Sequence, residues 1–239
     1  MPIERKPIQT SPARSATFPV ADAGLGEYMR GIYNYMAGGL ALTGAVAYYG
    51  YSSGLYLKIA HTPLIWVVLL APLAMVLFLS FRIQKMSLGT AQITYWVYAA
   101  TMGLSLAGIF MLYTGESISR VFFITAGTFG GMSLYGYTTK TDLTRFRSFL
   151  IMGLFGVIIA SVVNFWMNSS ALQFAVSVMG VIVFVGLTAY DTQKIKALYV
   201  AGDAAESVGK KTVMGALTLY LDFINLFLML LRLFGGRRN

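Results

Sequence analysis

Seven stretches of this chain come close to the roughly twenty apolar residues that a helix needs to cross the hydrocarbon core of a bilayer. They fall at about 31–50, 62–82, 90–113, 118–138, 148–167, 171–191 and 213–234. The connections between them are short, which predicts a single all-α membrane domain over residues 27–239. Composition agrees: of 239 residues, 57% are hydrophobic and only 11% charged, whereas a soluble domain carries about a quarter charged residues. The chain has no cysteine, which excludes disulfides and thiolate metal sites.

Residues 1–26 hold proline, scattered charge, Ser and Thr, without an apolar stretch of signal-peptide length. They are expected to form a disordered tail. The formal charge of +9 is spread over tails and short loops, and no basic patch with interleaved aromatics stands out. Nucleic acid is therefore not an expected partner; the charge reads as a topology signal and as contact with anionic lipid. With the N-terminus in the cytoplasm, thirteen Lys and Arg residues lie inside and two, Lys58 and Arg120, lie outside before the last run. That bias predicts a multi-pass protein with a cytoplasmic N-terminus. Arg232, Arg237 and Arg238 then fall outside if the last run spans, against the bias, or inside if it is re-entrant. Its length favours spanning.

Seven of the nine acidic residues sit in tails or connections, and only Asp191 and Asp222 border or interrupt apolar runs. An ionised Asp at bilayer depth costs roughly 2.5 to 3.5 kcal/mol. The last run can absorb that, because it holds thirteen Val, Leu, Ile or Phe residues, each contributing about −0.3 to −0.6 kcal/mol at a helix centre. The cost still remains, and such residues usually face a bundle interior or wet cavity and serve function. Asp191, close to Lys194 and Lys196, reads equally as part of an interfacial cluster. Spacing alone does not pair the two: Asp191 lies about 30 Å along from Ala171, and Asp222 about 14 Å along from Val213. Contact requires the last helix to begin outside the hydrocarbon or the sixth to be displaced.

The segments GLTAYDTQKIKALY (186–199) and LYLDFINLFLMLLRLFG (219–235) resemble the signatures of the Bax inhibitor-1 family, the transmembrane Bax inhibitor motif proteins, in its bacterial branch. The resemblance covers the chain from about residue 27. It implies seven transmembrane helices, six of them wrapped around a central C-terminal one. It also implies a calcium leak in the inner membrane, gated by two aspartates that share a proton and sense pH. By motif these are Asp191 and Asp222. An Arg near the cytoplasmic end of the second helix, matched here by Arg82 in LFLSFRIQKM, is implied to engage the sixth-helix Asp in one state. An acidic residue found earlier in that helix in some members has no counterpart, since Pro72 stands there.

The chemistry fits that role. Two neighbouring carboxylates in a low-dielectric site do not both ionise cheaply, so the pair keeps one proton. Once both are ionised they offer hard oxygen ligands to Ca²⁺, which takes six to eight. Water and carbonyls must complete the shell, which favours transient binding; no tightly bound cofactor is expected. Asn225, one turn beyond Asp222, is placed to orient the carboxylate or to make a helix-helix hydrogen bond. Of the remaining features, His61 reads as a loop residue, Gly127 and Gly131 as a small-residue packing motif, and Asn168-Ser169-Ser170 as a chance sequon.

An intramembrane aspartyl protease also uses two membrane aspartates, one of them after a Tyr. Leu219-Tyr220-Leu221-Asp222 lacks the Gly-x-Gly-Asp motif of that class, and no C-terminal Pro-Ala-Leu follows. The chain is therefore not expected to be an enzyme. The alternative function is a membrane-embedded regulator of a quality-control protease or stress pathway, with the tail available for capture by the protease partner.

Overall fold

The computed structural model describes residues 18–238. Long helices follow the apolar runs: α1 (Phe18–Ser52), α3 (Leu64–Arg82), α4 (Leu88–Leu106), α6 (Gly115–Thr138), α7 (Arg147–Met167), α8 (Ser170–Ala197) and α9 (Ala205–Phe234). Two short helices, α2 (Leu55–Ala60) and α5 (Ile109–Leu112), lie in connections at one end of the bundle. Several starts are set by side-chain caps, which accept hydrogen bonds from otherwise unpaired N–H groups of the first turn. Ser87 accepts from Thr90, Thr114 from Ser117, and Ser169 from Leu172.

Five segments are long and apolar enough to cross a membrane: Leu64–Lys85, Leu88–Leu112, Leu143–Met167, Ser170–Ala197 and Ala205–Phe234. α1 and α6, of 35 and 24 residues, are long enough but more polar, with Gly, Ser, Thr and Tyr along their length. α1 begins within the segment read as a tail, because Leu25, Tyr28 and Met29 pack into the core. Residues 1–17, the rest of that predicted tail, lie outside the described residues.

α9 packs against α1, α4, α6 and α8, while α3 lies against α4 and α7 against α8. Accordingly 72% of the apolar stretch of α9 is buried, against 11% in the segments carrying α3 and α7. The outer helices turn Trp66, Phe81, Phe155 and Phe165 outward, where lipid rather than water is their natural solvent.

Close helix approach depends on glycine at places other than the predicted ones. Nothing lies within 4 Å of a Cβ built on Gly127 or Gly131, so that pair mediates no tight packing. On the same helix, a Cβ at Gly136 would clash with the Ala189 carbonyl oxygen of α8. At Gly103 of α4 it would fall 2.6 Å from the Thr43 carbonyl oxygen of α1. Backbones meet there, as small residues allow in lipid.

α9 is a continuous helix whose far end meets the 107–117 region. The Gly236 N–H donates to Ser117 Oγ (2.7 Å), and the Arg238 N–H donates to the Leu112 carbonyl (3.0 Å). At the opposite end, Gln193 of α8 receives the Leu143 N–H and donates to the Thr141 carbonyl, both at 2.9 Å. Reporters fused after Asn239 and inserted in the 198–204 connection should therefore read opposite sides of the membrane. Identical readouts would mean that α9 turns back.

Candidate functional site

The site lies on the seam between α8 and α9. Cβ atoms built on Gly215 and Gly180 would meet Ile195 (3.2 Å) and Met229 (2.7 Å), which sets the level of one antiparallel helix against the other. Gly215, Asp222 and Met229 are seven residues apart, so all three face α8. Asp222 accordingly lies level with Thr188, about 4.5 Å deeper than Asp191 at 1.5 Å rise per residue. Both carboxylates are buried, and Asp191 and Lys194 are the charged groups whose fields reach Asp222.

The depth difficulty raised by the apolar runs disappears for a local reason. α9 starts at Ala205, eight positions before the run at Val213, and α8 continues past Asp191 to Ala197. The early turns of α9 carry Glu206, Lys210 and Lys211, a polar face that extends the helix beyond the apolar zone. Lys211 ties the connection down by donating to Asp203 (2.5 Å) and to the Leu198 carbonyl (2.8 Å).

Below the carboxylates is a cavity of about 560 Å³, bordered by Asp191, Lys194, Glu206, Lys210, Lys211 and Thr218. Asp191 therefore stands at the wall of a charged, accessible space, and Asp222 lies deeper. The Asp222 Oδ2 is buried without a hydrogen-bond partner among the described residues. A buried acceptor left unpaired is costly and marks a proton or ligand position more readily than a packing one.

The predicted supporting residues are placed as follows. Lys194, not Arg82, is the cation at Asp191: its Nζ is 3.7 Å from Oδ1, and Arg147 of α7 adds a more distant positive field. Arg82 is exposed at the end of α3 and forms no ion pair among the described residues, although the adjacent Ile83 and Gln84 border the cavity. Asn225 donates to the Leu221 carbonyl of its own helix (2.8 Å), so its amide is committed away from Asp222. His61 is exposed, as expected of a loop residue. Among the described residues, no group of three or more His, Cys, Asp or Glu could hold a metal ion.

Two polar links near the seam were not anticipated. Thr43 of α1 donates to the Ala99 carbonyl of α4 (2.8 Å) and lies 2.7 Å from the Tyr220 hydroxyl of α9. Tyr220 also meets Tyr95 and Tyr98 edge to face. Two residues from Asp222, it points away from α8 and holds the opposite side of α9. Similarly, Tyr33 of α1, Ser133 of α6 and Thr192 of α8 form a chain of hydroxyls at 2.5 and 2.9 Å. The available signal was a hydroxyl inside an apolar helix, which names a residue but not its partner.

A bundle of long apolar helices, lipid-facing outside and carrying two buried carboxylates on one inner seam, is a polytopic membrane protein with an ionisable core. More narrowly, the chain belongs to the Bax1-I family, described as inhibitor of apoptosis-promoting Bax1, whose model matches residues 25–239. It is 49% identical over 229 residues to the inner membrane protein YbhL of Escherichia coli (strain K12), covering 94% of this chain and 98% of the relative. It is 48% identical over 233 residues to the protein RP147 of Rickettsia prowazekii, covering 96% and 97%. A protein of Caulobacter vibrioides is 46% identical over 240 residues, with 95% of each chain covered.

If Asp222 is retained at an energetic cost, Asp222→Asn should melt at a higher temperature than the wild type in detergent at neutral pH. A lower melting temperature would show that the carboxylate contributes a structural contact.

Proposed function

We propose that this protein is a pH-sensitive calcium or cation leak channel of the inner membrane, with Asp191 and Asp222 as its proton-sharing sensor. The observation that carries this reading is the orphaned Asp222 Oδ2, buried one turn above Asp191 and the cavity. In this reading seven helices cross the membrane, α1 and α6 included, and six surround α9. The N-terminus and the 198–204 connection face the cytoplasm, as the charge bias requires. The cavity is then the cytoplasmic vestibule.

With one proton between them, the carboxyl groups form a hydrogen bond that ties α8 to α9. Loss of that proton leaves two like charges on one seam and weakens the tie. The charges facing the pair are Lys194 and Arg147, with Glu206, Lys210 and Lys211 across the vestibule. They include cations enough to receive an ionised Asp191, but none adjoins Asp222, so the deeper carboxylate acts as the switch. The calcium ion is the cargo: the ionised pair supplies part of its oxygen shell, and water the rest. Arg82 reaches Asp191 only if the end of α3 moves inward. The leak is preferred over the protease-regulator alternative because a docking role does not require two carboxylates buried at bilayer depth.

Flux from liposomes containing only this protein should rise as pH is raised through the titration of the pair. Asp191→Asn and Asp222→Asn should each flatten the pH profile, and the double variant should add little to either. A wild type that leaks only on acidification would reverse the gate. Additive effects of the two substitutions would remove the shared proton, and no flux at any pH would leave the regulator reading.

A further inference from the structure

The far end of the bundle carries a second charged feature that the aspartate pair does not use. Arg232, Arg237 and Arg238 are concentrated where other cations are scarce, at the end that the charge bias makes unfavourable for them. Residues 235–238 form a strap across this end. Tyr113 and Arg237 pair as an isolated antiparallel bridge, and the Thr114 N–H donates to the Gly236 carbonyl (3.1 Å). In extended backbone successive side chains point to opposite faces. Arg238 is used on one of them, donating to the Tyr51 hydroxyl and to the Phe110 carbonyl.

Two adjoining cavities of about 450 and 530 Å³ are each bordered by Arg232, Arg237 and Gln173; Arg238 borders only the first. Neither Arg232 nor Arg237 has a carboxylate within ion-pairing distance among the described residues, and neither side chain donates a hydrogen bond to them. Asn164, Asn168 and Ser170 border the second cavity and bring further polar groups to the same place. Arg232 also lies in the last turn of α9, where a cation offsets the helix dipole. That account does not extend to Arg237, which lies beyond the helix.

We propose that Arg232 and Arg237 form a binding site for the phosphate of an anionic phospholipid headgroup. Guanidinium groups match phosphate geometry with paired donors, and Gln173 supplies an amide between the two cavities. The rim favours a lipid over a free anion. Phe165, which borders one cavity, is 71% exposed, and Leu112, which borders the other, is 63% exposed. Trp166 and Met167 continue this apolar rim at the end of α7. Acyl chains can lie along these side chains while the headgroup enters the cavities, with Trp166 at the level of the membrane interface. The strap and the last turn of α9 would then be held to α7 and α8 through the bound headgroup.

The test is binding of phosphatidylglycerol to the purified full-length protein in a neutral detergent, read by native mass spectrometry and by the shift in melting temperature. Phosphatidylcholine and inorganic phosphate serve as separate arms. The wild type should prefer phosphatidylglycerol. Arg232→Gln with Arg237→Gln should bind it about thirtyfold more weakly, and Arg232→Lys with Arg237→Lys should retain most of the affinity. Binding by the wild type should also weaken as salt is raised. Equal binding by the glutamine double variant, equal binding of phosphatidylcholine, or salt-insensitive binding would overturn the site. Stabilisation by inorganic phosphate with no further effect of phosphatidylglycerol would overturn the lipid assignment. If the glutamine variant does not fold, the lysine variant and the salt dependence of the wild type still decide the matter.

Discussion

A carboxylate in the middle of the most enclosed helix is the constraint around which this bundle is arranged. In this packed arrangement Asp222 is shut away from solvent, and the apolar residues of α9 hold it there. The helix is held in place instead by packing on four sides and by hydroxyl contacts that do not involve the carboxylate. Thr43 and Tyr220 fasten α9 to α1 and α4, leaving the α8-facing seam as the side where charge can change. A bundle fastened on one side and ionisable on the other has a natural direction in which to loosen.

The two ends of the molecule are built on different physical terms. At the end bearing the 198–204 connection, Asp191, Lys194, Glu206, Lys210 and Lys211 border a cavity, and Lys194 pairs with Asp191, Lys210 with Glu206 and Lys211 with Asp203. These pairs are partly exposed, so each contributes little to stability. Their larger effect is to keep a polar, wettable space against Asp191, with Asp222 one turn deeper. At the other end the arginines outnumber nearby acids, and Arg238 is satisfied by a hydroxyl and a carbonyl rather than by a counter-charge. In the proposed function, a gate near the first end and a lipid-held strap at the second would let the membrane stabilise the fold without touching the aspartate pair.

Glycine decides how closely the helices carrying the site approach. At Gly136 the backbone of α6 meets the backbone of α8 two residues before Asp191, which leaves Asp191 little lateral freedom. The Tyr33–Ser133–Thr192 chain crosses the same region and links α1, α6 and α8. In an apolar surrounding such hydroxyl links are retained because an unpaired hydroxyl there is costly. The position of Asp191 is thus set by neighbours on two other helices, and that of Asp222 by Tyr220 on the far face of its own.

The sequence by itself determined the helical class, the approximate runs and the two carboxylates out of place among apolar residues, because hydropathy is a local property that a window of twenty residues contains. Family membership was also legible, in the two acidic segments. The level at which Asp191 and Asp222 stand was not. It depends on where α9 begins, and its first turns carry charges that a hydropathy reading assigns to a loop. The cation beside Asp191 is Lys194 rather than Arg82, and the close glycine on α6 is Gly136 rather than Gly127 or Gly131. Those outcomes belong to the tertiary structure, because the register between two helices is fixed by side chains that meet across the bundle, and spacing along one helix says nothing about what stands opposite it.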